Sequence, residues 1–314
     1  MNDQAPAVID RRRLFASLGG IAASGLASAR LSADEQAEPV ELYVPTNMQR
    51  ALPAAALEKE RATFATLAPN NLDDPANVRL ARLKTIYSLV GDYAYTTVIA
   101  RHSMVPLRGT AFELVNEIEF NVAFLTTSIP NGHDKPRVDD KGNPLSLYLN
   151  ATFNRIFLDP RTLEPVQTVT LPTSGKTLRL PDTQFAFGMP LDISPGQEKD
   201  SALQESMPRY QLGEHVEFVS ITVPPSTPNA PRVDTSVWST EITKLLDPTT
   251  HQLAARFSYT ASADASLFRW SQFAAGDGMR IVTAKSGFKT NNSQDIPTIA
   301  TQTILNRYPE LLLT

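Results

Sequence analysis

The sequence predicts a mainly β protein, an antiparallel barrel or sandwich of about ten strands with N-terminal and C-terminal helices. Three observations carry this expectation. The stretch TAFELVNEIEFNVAFL, Thr110 to Leu125, alternates apolar and polar residues at the period of a strand. Runs rich in β-branched and aromatic residues recur along the chain, with Gly, Pro, Asn and Asp clusters between them. The 314 residues include 24 prolines against 14 glycines, which suits many turns between short strands better than a helical bundle.

Two helices come first. ALPAAALEKERATFATLAP lies between Pro53 and Pro69 and reads as one. In the second, Asp74 is a capping residue, Pro75 suits the first turn and Gly91 ends the run. Leu80, Leu83, Tyr87 and Val90 fall at helical steps on one face, with Arg79, Arg82 and Lys84 expected away from it.

Strands follow. DYAYTTVIARH is the first. In the next, Phe112, Leu114, Ile118, Phe120, Val122 and Phe124 are expected on one face, with Glu113, Glu117, Glu119 and Asn121 on a water-facing side. After the turn-rich IPNGHDKPRVDDKGNP, LSLYLNATFNRIF reads as a strand, LDPRTLEP as a turn and VQTVTL as its partner. Ser174-Gly175-Lys176 closes a hairpin before TLRLPDTQFAFGM. EHVEFVSITV is a further strand, and SVWSTEI pairs with LAARFSYTA across LDPTTHQ. SLFRWSQFAAGDGMRIVTAKSGFK begins irregularly and ends in a strand, and IPTIATQTILNRYPELLL closes the chain as a short helix. No period of 20 to 50 residues repeats, against a propeller or solenoid.

The N-terminus carries an address. Arg11, Arg12 and Arg13 precede a weakly apolar run ending in Ala27-Ser28-Ala29, and Phe15 follows the arginine pair at the offset of a twin-arginine export signal. Residues 1–33 are read as that signal, 34–52 as a linker and 53–314 as one β-rich domain. This predicts passage through the twin-arginine (Tat) export machinery to the periplasm or beyond. No later segment reaches the ~20 apolar residues of a membrane span. Net charge is −4 without a basic cluster after the signal, which argues against nucleic acid as a partner. The absence of cysteine removes disulfides, thiolate metal ligands and thiol nucleophiles.

In the C-terminal block, Trp270, Gly276-Asp277-Gly278, Gly287 and Lys289 of AKSGFK, Ile296-Pro297 and Tyr308-Pro309 occur in a recognisable order. With NATFNRIFLDPRTLEPV, they give the chain a pattern that resembles an uncharacterised family of exported bacterial proteins catalogued as domain of unknown function 1838. The resemblance covers roughly residues 70 to 312. It implies a fold class and brings no reaction, cofactor or catalytic residues.

Chemistry-bearing patterns are sparse. There is no Gly-x-Ser-x-Gly elbow, no His-Glu-x-x-His helix and no calcium loop; Ser174-Gly175-Lys176-Thr177 lacks the upstream glycine of a phosphate loop. The four histidines are His102, His133, His215 and His251. His215 and Glu217, two apart on a strand, point to one face and form the candidate acid–base pair. Asn150, Thr152 and Asn154 share one strand face, with Arg155 on the other. Asn154, Arg155, Trp238 and Trp270 are the candidate ligand-binding residues. The reading is of an envelope protein that binds a small apolar or aromatic molecule, with acid–base chemistry and no cofactor as the expectation if it converts that molecule. The alternatives are a non-catalytic binding or assembly protein, and a histidine/carboxylate metal enzyme.

Overall fold

A computed structural model describes residues 54–89, 93–127, 138–140, 144–180, 183–193, 209–222, 232–250, 253–274, 277–292 and 295. The export signal, the linker and the expected C-terminal helix lie outside them.

Two helices open the described chain, α1 (Ala54–Leu67) and α2 (Pro75–Tyr87). Asp74 caps α2 as its sequence position predicts, its carboxylate accepting from the Ala76 N–H with Pro75 in the first turn. The chain then forms β1 (Ala94–Pro106), β2 (Phe112–Thr126), β3 (Ser146–Leu158), β4 (Thr168–Thr170), β5 (Thr177–Arg179) and β6 (Thr183–Asp192). After these come β7 (Arg209–Leu212), β8 (His215–Thr222), β9 (Arg232–Glu241), the one-turn helix α3 (Ile242–Leu246), β10 (Ala255–Asp264) and β11 (Met279–Thr290).

Nine of these strands make one sheet in the order β6-β3-β2-β1-β11-β10-β9-β8-β7, and every pairing is antiparallel. Two meanders, one from each half of the chain, are joined at the centre where β1 pairs with β11. The sheet is open: it ends at β6 and at the four-residue β7 and does not close into the expected barrel. A short edge strand limits the row of unpaired backbone groups left to a neighbour. Nor is there a sandwich partner of comparable size among the described residues, since the second sheet is only the hairpin β4–β5. That hairpin turns at Gly175, whose φ of 68° suits glycine, and it gives VQTVTL a different partner from the one expected: β4 pairs with β5, and β3 lies between β2 and β6.

One face of the sheet receives α1 and α2 near one end. Leu80, Leu83 and Tyr87 pack with Phe64, Leu125, Leu147 and Leu149, and Ile86 meets Val98, Trp238 and Phe257. The other end of this face is covered by the hairpin β4–β5 and the irregular segment that holds Trp270: Leu171, Leu178 and Trp270 pack on Met104, Val115, Phe157 and Ile281. Helix α2 is wrapped more completely than its apolar stripe suggests. Arg82 and Lys84, expected outside, are 6 % and 2 % exposed. The Lys84 ammonium donates to the carbonyls of Lys244, Leu245 and Asp247 and so ends α3.

The alternation in β2 needs a correction. Opposite β1 the register slips between His102 and Ser103, so that Leu114 is an extra residue between the paired Val115 and Glu113. Such a bulge reverses the facing of whatever precedes it. Phe112 and Leu114 therefore pack with Met104 and Val115, while Ile118, Phe120 and Val122 pack on the opposite face with Tyr95 and Ile156.

Candidate active site

The row of glutamates expected to meet water is instead buried. Glu117 and Glu119 are both 0 % exposed. Two positions apart on β2, they point to the covered face between the helices and the Trp270 segment. The register sets their neighbours. One row across the sheet runs Phe157, Glu117, Ala100, Lys285, Tyr259, Ser236, and the next runs Arg155, Glu119, Val98, Gly287, Phe257, Trp238.

Ala100 is the small residue between Glu117 and Lys285. Over it the Lys285 ammonium reaches Glu117 Oε1 at 3.2 Å and also contacts Glu119 Oε1. Glu117 Oε2 receives two further groups, His102 Nε2 at 3.0 Å and the Arg155 guanidinium at 3.6 Å. Arg155 lies between Phe153 and Phe157, 5.8 and 5.2 Å from their ring centres. His102 Nδ1 is 2.9 Å from the Thr283 hydroxyl, its partner across β1 and β11. An ionised Glu117 takes the Nε2–H, so in the neutral ring Nδ1 accepts from Thr283.

Environment divides the two carboxyls. Burial pushes Glu117 up, but Lys285, then Arg155, outweigh it and hold the group well below the ordinary carboxylate range. For Glu119, burial together with the Glu117 charge outweighs Lys285 and lifts it well above that range. Burial works against the Lys285 charge, but both carboxyls overcome it and raise its pKa. Two carboxyls side by side, one kept charged and one kept protonated, are what acid–base chemistry at neutral pH requires. Removing one partner of such a buried pair leaves a charge uncompensated.

The wall over this polar row is aromatic. Trp270 packs edge-on against the His102 ring at 6.2 Å, against Phe157 at 5.6 Å and against Phe268 at 5.7 Å. On the far side the Lys285 ammonium stands 5.8 Å from the centre of the Tyr259 ring. The Tyr259 hydroxyl in turn meets Arg232, which pairs with Asp234.

Of the six residues singled out from the sequence, Arg155 and Trp270 belong to this cluster. Trp238 shares its face but packs against Phe257, 4.7 Å away, and its indole N–H has no partner among the described residues. Asn154 points to the opposite face, next to Phe120. His215 and Glu217 alternate with the buried Val216 and Phe218 and so also face away; His215 is exposed and Glu217 half-buried. The structure does not bring that pair to the cluster. His133 and His251 lie outside the described residues. Among the described residues no group of three His, Asp or Glu side chains is placed to hold a metal ion.

Sequence reasoning passed over His102 and Lys285, and it weighed Glu117 and Glu119 as paired carboxylates but set them aside as the water-facing side of a strand. One clue was available for the lysine: it stands two residues before Gly287 in AKSGFK. A side chain at Gly287 would place its Cβ 2.2 Å from the Thr97 carbonyl oxygen and 2.9 Å from Val98 Cα. The glycine lets β11 sit tightly on β1 in the row beside Lys285.

No protein-family model matches the chain, and no curated protein matches it.

Proposed function

We propose that this protein is an enzyme of the cell envelope that binds a small aromatic or largely apolar molecule and moves a proton on it by acid–base chemistry with side chains alone. The observation that carries the reading is the split pair Glu117–Glu119, enclosed beneath aromatic rings and bridged by Lys285. Glu119 is the proton carrier: protonated at rest, it gives its proton to one position of the bound molecule while the Lys285 ammonium meets its new charge. The carboxylate then takes a proton from another position, which restores the resting acid and leaves the molecule isomerised. Glu117 stays ionised and orients His102 and Arg155. Trp270, Phe157 and Phe268 supply the apolar wall. The twin-arginine pattern before the domain supports export to the periplasm or beyond. The C-terminal pattern supports kinship with the uncharacterised exported family it resembles.

The test begins with protein purified from its own envelope, examined by native mass spectrometry for a retained molecule, which is then incubated in D2O with the wild type and with Glu119→Gln. Deuterium entering a carbon of that molecule only with Glu119 intact supports the enzyme. A retained molecule that gains no deuterium with either protein contradicts it and favours a non-catalytic binding protein.

A further inference from the structure

The last turn of α2 is fastened to its neighbours by two buried lysines with different surroundings. The Lys84 ammonium has a carbonyl for each of its three hydrogens, those of Lys244, Leu245 and Asp247. Lys289, on β11 and 0 % exposed, has two partners among the described residues, the Lys84 carbonyl at 3.0 Å and Ser88 Oγ at 2.9 Å. Neither is a carboxylate. Ser88, which follows α2 directly, is strained: its φ of 62° and ψ of 134° lie where residues other than glycine are rarely found.

The hydrogen bonds around Lys289 suit a neutral amine. Asn291 is oriented by its neighbours, Oδ1 accepting from the Leu253 N–H at 3.1 Å and Nδ2 donating to the Tyr93 carbonyl at 3.0 Å. The other Nδ2 hydrogen goes to Ser88 Oγ at 3.1 Å. The Ser88 hydroxyl then offers its hydrogen to Lys289 Nζ, the nearer acceptor, rather than to Asn291 Oδ1 at 3.2 Å. An amine has a lone pair to take it; an ammonium has none. Burial, and then the Lys84 charge, hold Lys289 well below the ordinary lysine range. Lys84 is itself brought down to about 8 by burial, with Asp247 opposing. Of the other titratable groups on the packed elements, Arg82 and Tyr87 of α2 act on each other, and Glu119 of β2 is engaged by Lys285 of β11. From β1 and β10 only Thr96 and Ala255 stand opposite Lys289 in register.

We infer that this seam is a proton-operated latch: a proton taken up by Lys289 frees the last turn of α2 from β11 and opens the way to Glu119. A second ammonium beside Lys84 is buried, unpaired and repelled, and it leaves the Ser88 hydrogen without its acceptor. Lifting the turn lets water reach the charge and lets Ser88 leave its strained conformation. Ile86 in that turn packs on Val98, Phe257 and Trp238, members of the Glu119 row, so its departure uncovers that row. The role as an entrance rests on the proton transfer proposed for Glu119; the latch does not. Freed, Lys289 regains the ordinary lysine value. Falling pH therefore favours the open form, by up to about tenfold per pH unit, until the seated amine is itself protonated.

Backbone hydrogen exchange on the full chain, corrected for the intrinsic rate at each pH, reads the opening. Below about pH 8 Lys84 carries its proton, so the slope that remains belongs to Lys289. Wild-type α2 should lose protection as pH falls further, while the hairpin β4–β5, at the other end of the same face, keeps its own. Lys289→Met should remove the slope from α2. Methionine fills the space and leaves the Lys84 carbonyl bonded to the Ser88 N–H, and Ser88 Oγ to Asn291. Contributions from Glu119 and His102 are common to both proteins. The chain has no cysteine, so Val98→Cys adds a single thiol in the row of Glu119. Its labelling, relative to the unfolded chain at the same pH, should rise as α2 opens and stay constant when Lys289→Met is added. Equal slopes in wild type and Lys289→Met, a slope in the hairpin equal to that in α2, or loosening of α2 that leaves Val98→Cys unlabelled would each overturn the latch. None of these readouts depends on deuterium entering a bound molecule, so the latch and the proton-transfer reading fail separately.

Discussion

The Lys285 ammonium lies 3.2 Å from Glu117 Oε1, having crossed the β1 strand above Ala100 to reach it. The contact joins β11 to β2, strands that do not touch in the sheet order, and makes a small side chain at position 100 a condition of the site. Ala100→Leu should put a branched side chain between the two charges. Loss of the ion pair and overpacking together predict destabilisation by about 3–5 kcal/mol, read by denaturant unfolding.

The two glutamates should respond in opposite ways to neutralisation. Glu117 is held low, so it contributes stability above the ordinary carboxylate range that is lost as pH falls through its folded value. Glu117→Gln should cost about 3–5 kcal/mol near neutrality, with the difference from the wild type shrinking in acid. Glu119 is held high, so the unfolded chain ionises first and wild-type stability declines as pH rises from about 4.5 toward the folded value. Glu119→Gln mimics the protonated form and should remove that decline. Melting temperatures of both variants across pH check the signs.

Among the described residues Thr283 meets the site through His102, which makes it a positioning residue. Thr283→Val keeps the shape and removes the hydroxyl at His102 Nδ1. The ring nitrogen shifts of His102 should then report a changed tautomer, and Thr283→Ser should restore the wild-type pattern. Unchanged nitrogen shifts in the valine variant would remove Thr283 from the account.

Much of the fold was legible. Asp74 with Pro75 announces the start of α2, Ser174-Gly175-Lys176 the hairpin, and the alternation of β2 a strand. The pairing of SVWSTEI with LAARFSYTA stands as β9 and β10. What could not be read was which face lies inside. Alternation shows that two faces differ, and a polar face is assigned to water by default. Here both faces of β2 are covered, so Glu117 and Glu119 are as buried as Ile118 and Phe120. The bulge at Leu114 changes which residues share a face without changing the residue pattern. Lys285 and Glu117 stand 168 positions apart, and only the β1–β11 pairing brings them together. Arg155 and Trp270 were found for their residue types; His215 was favoured for its neighbour Glu217, but that neighbour relation lies on the other face.

Gly287 marks how closely β11 lies on β1. Gly287→Ala sets a carbon against backbone atoms that cannot swing away. We expect a loss of about 3 kcal/mol or more, or failure to accumulate as folded protein. Unfolding curves compared with Gly213→Ala, where no atom lies within 4 Å of an added Cβ, separate this contact from the general effect of replacing a glycine; the cost at Gly213 should come only from its φ of 61°.

The division of charge between Glu117 and Glu119 is the central claim, and carbon NMR of glutamate carboxyls measures it directly. With the side-chain carboxyl carbons labelled, and Glu117→Gln and Glu119→Gln used to assign the two resonances, pH is raised from acid to alkaline. The account predicts that at neutral pH Glu117 has the shift of a carboxylate and Glu119 that of a carboxylic acid, with Glu119 ionising only well above the ordinary range. Two resonances that titrate together within the ordinary carboxylate range would contradict it.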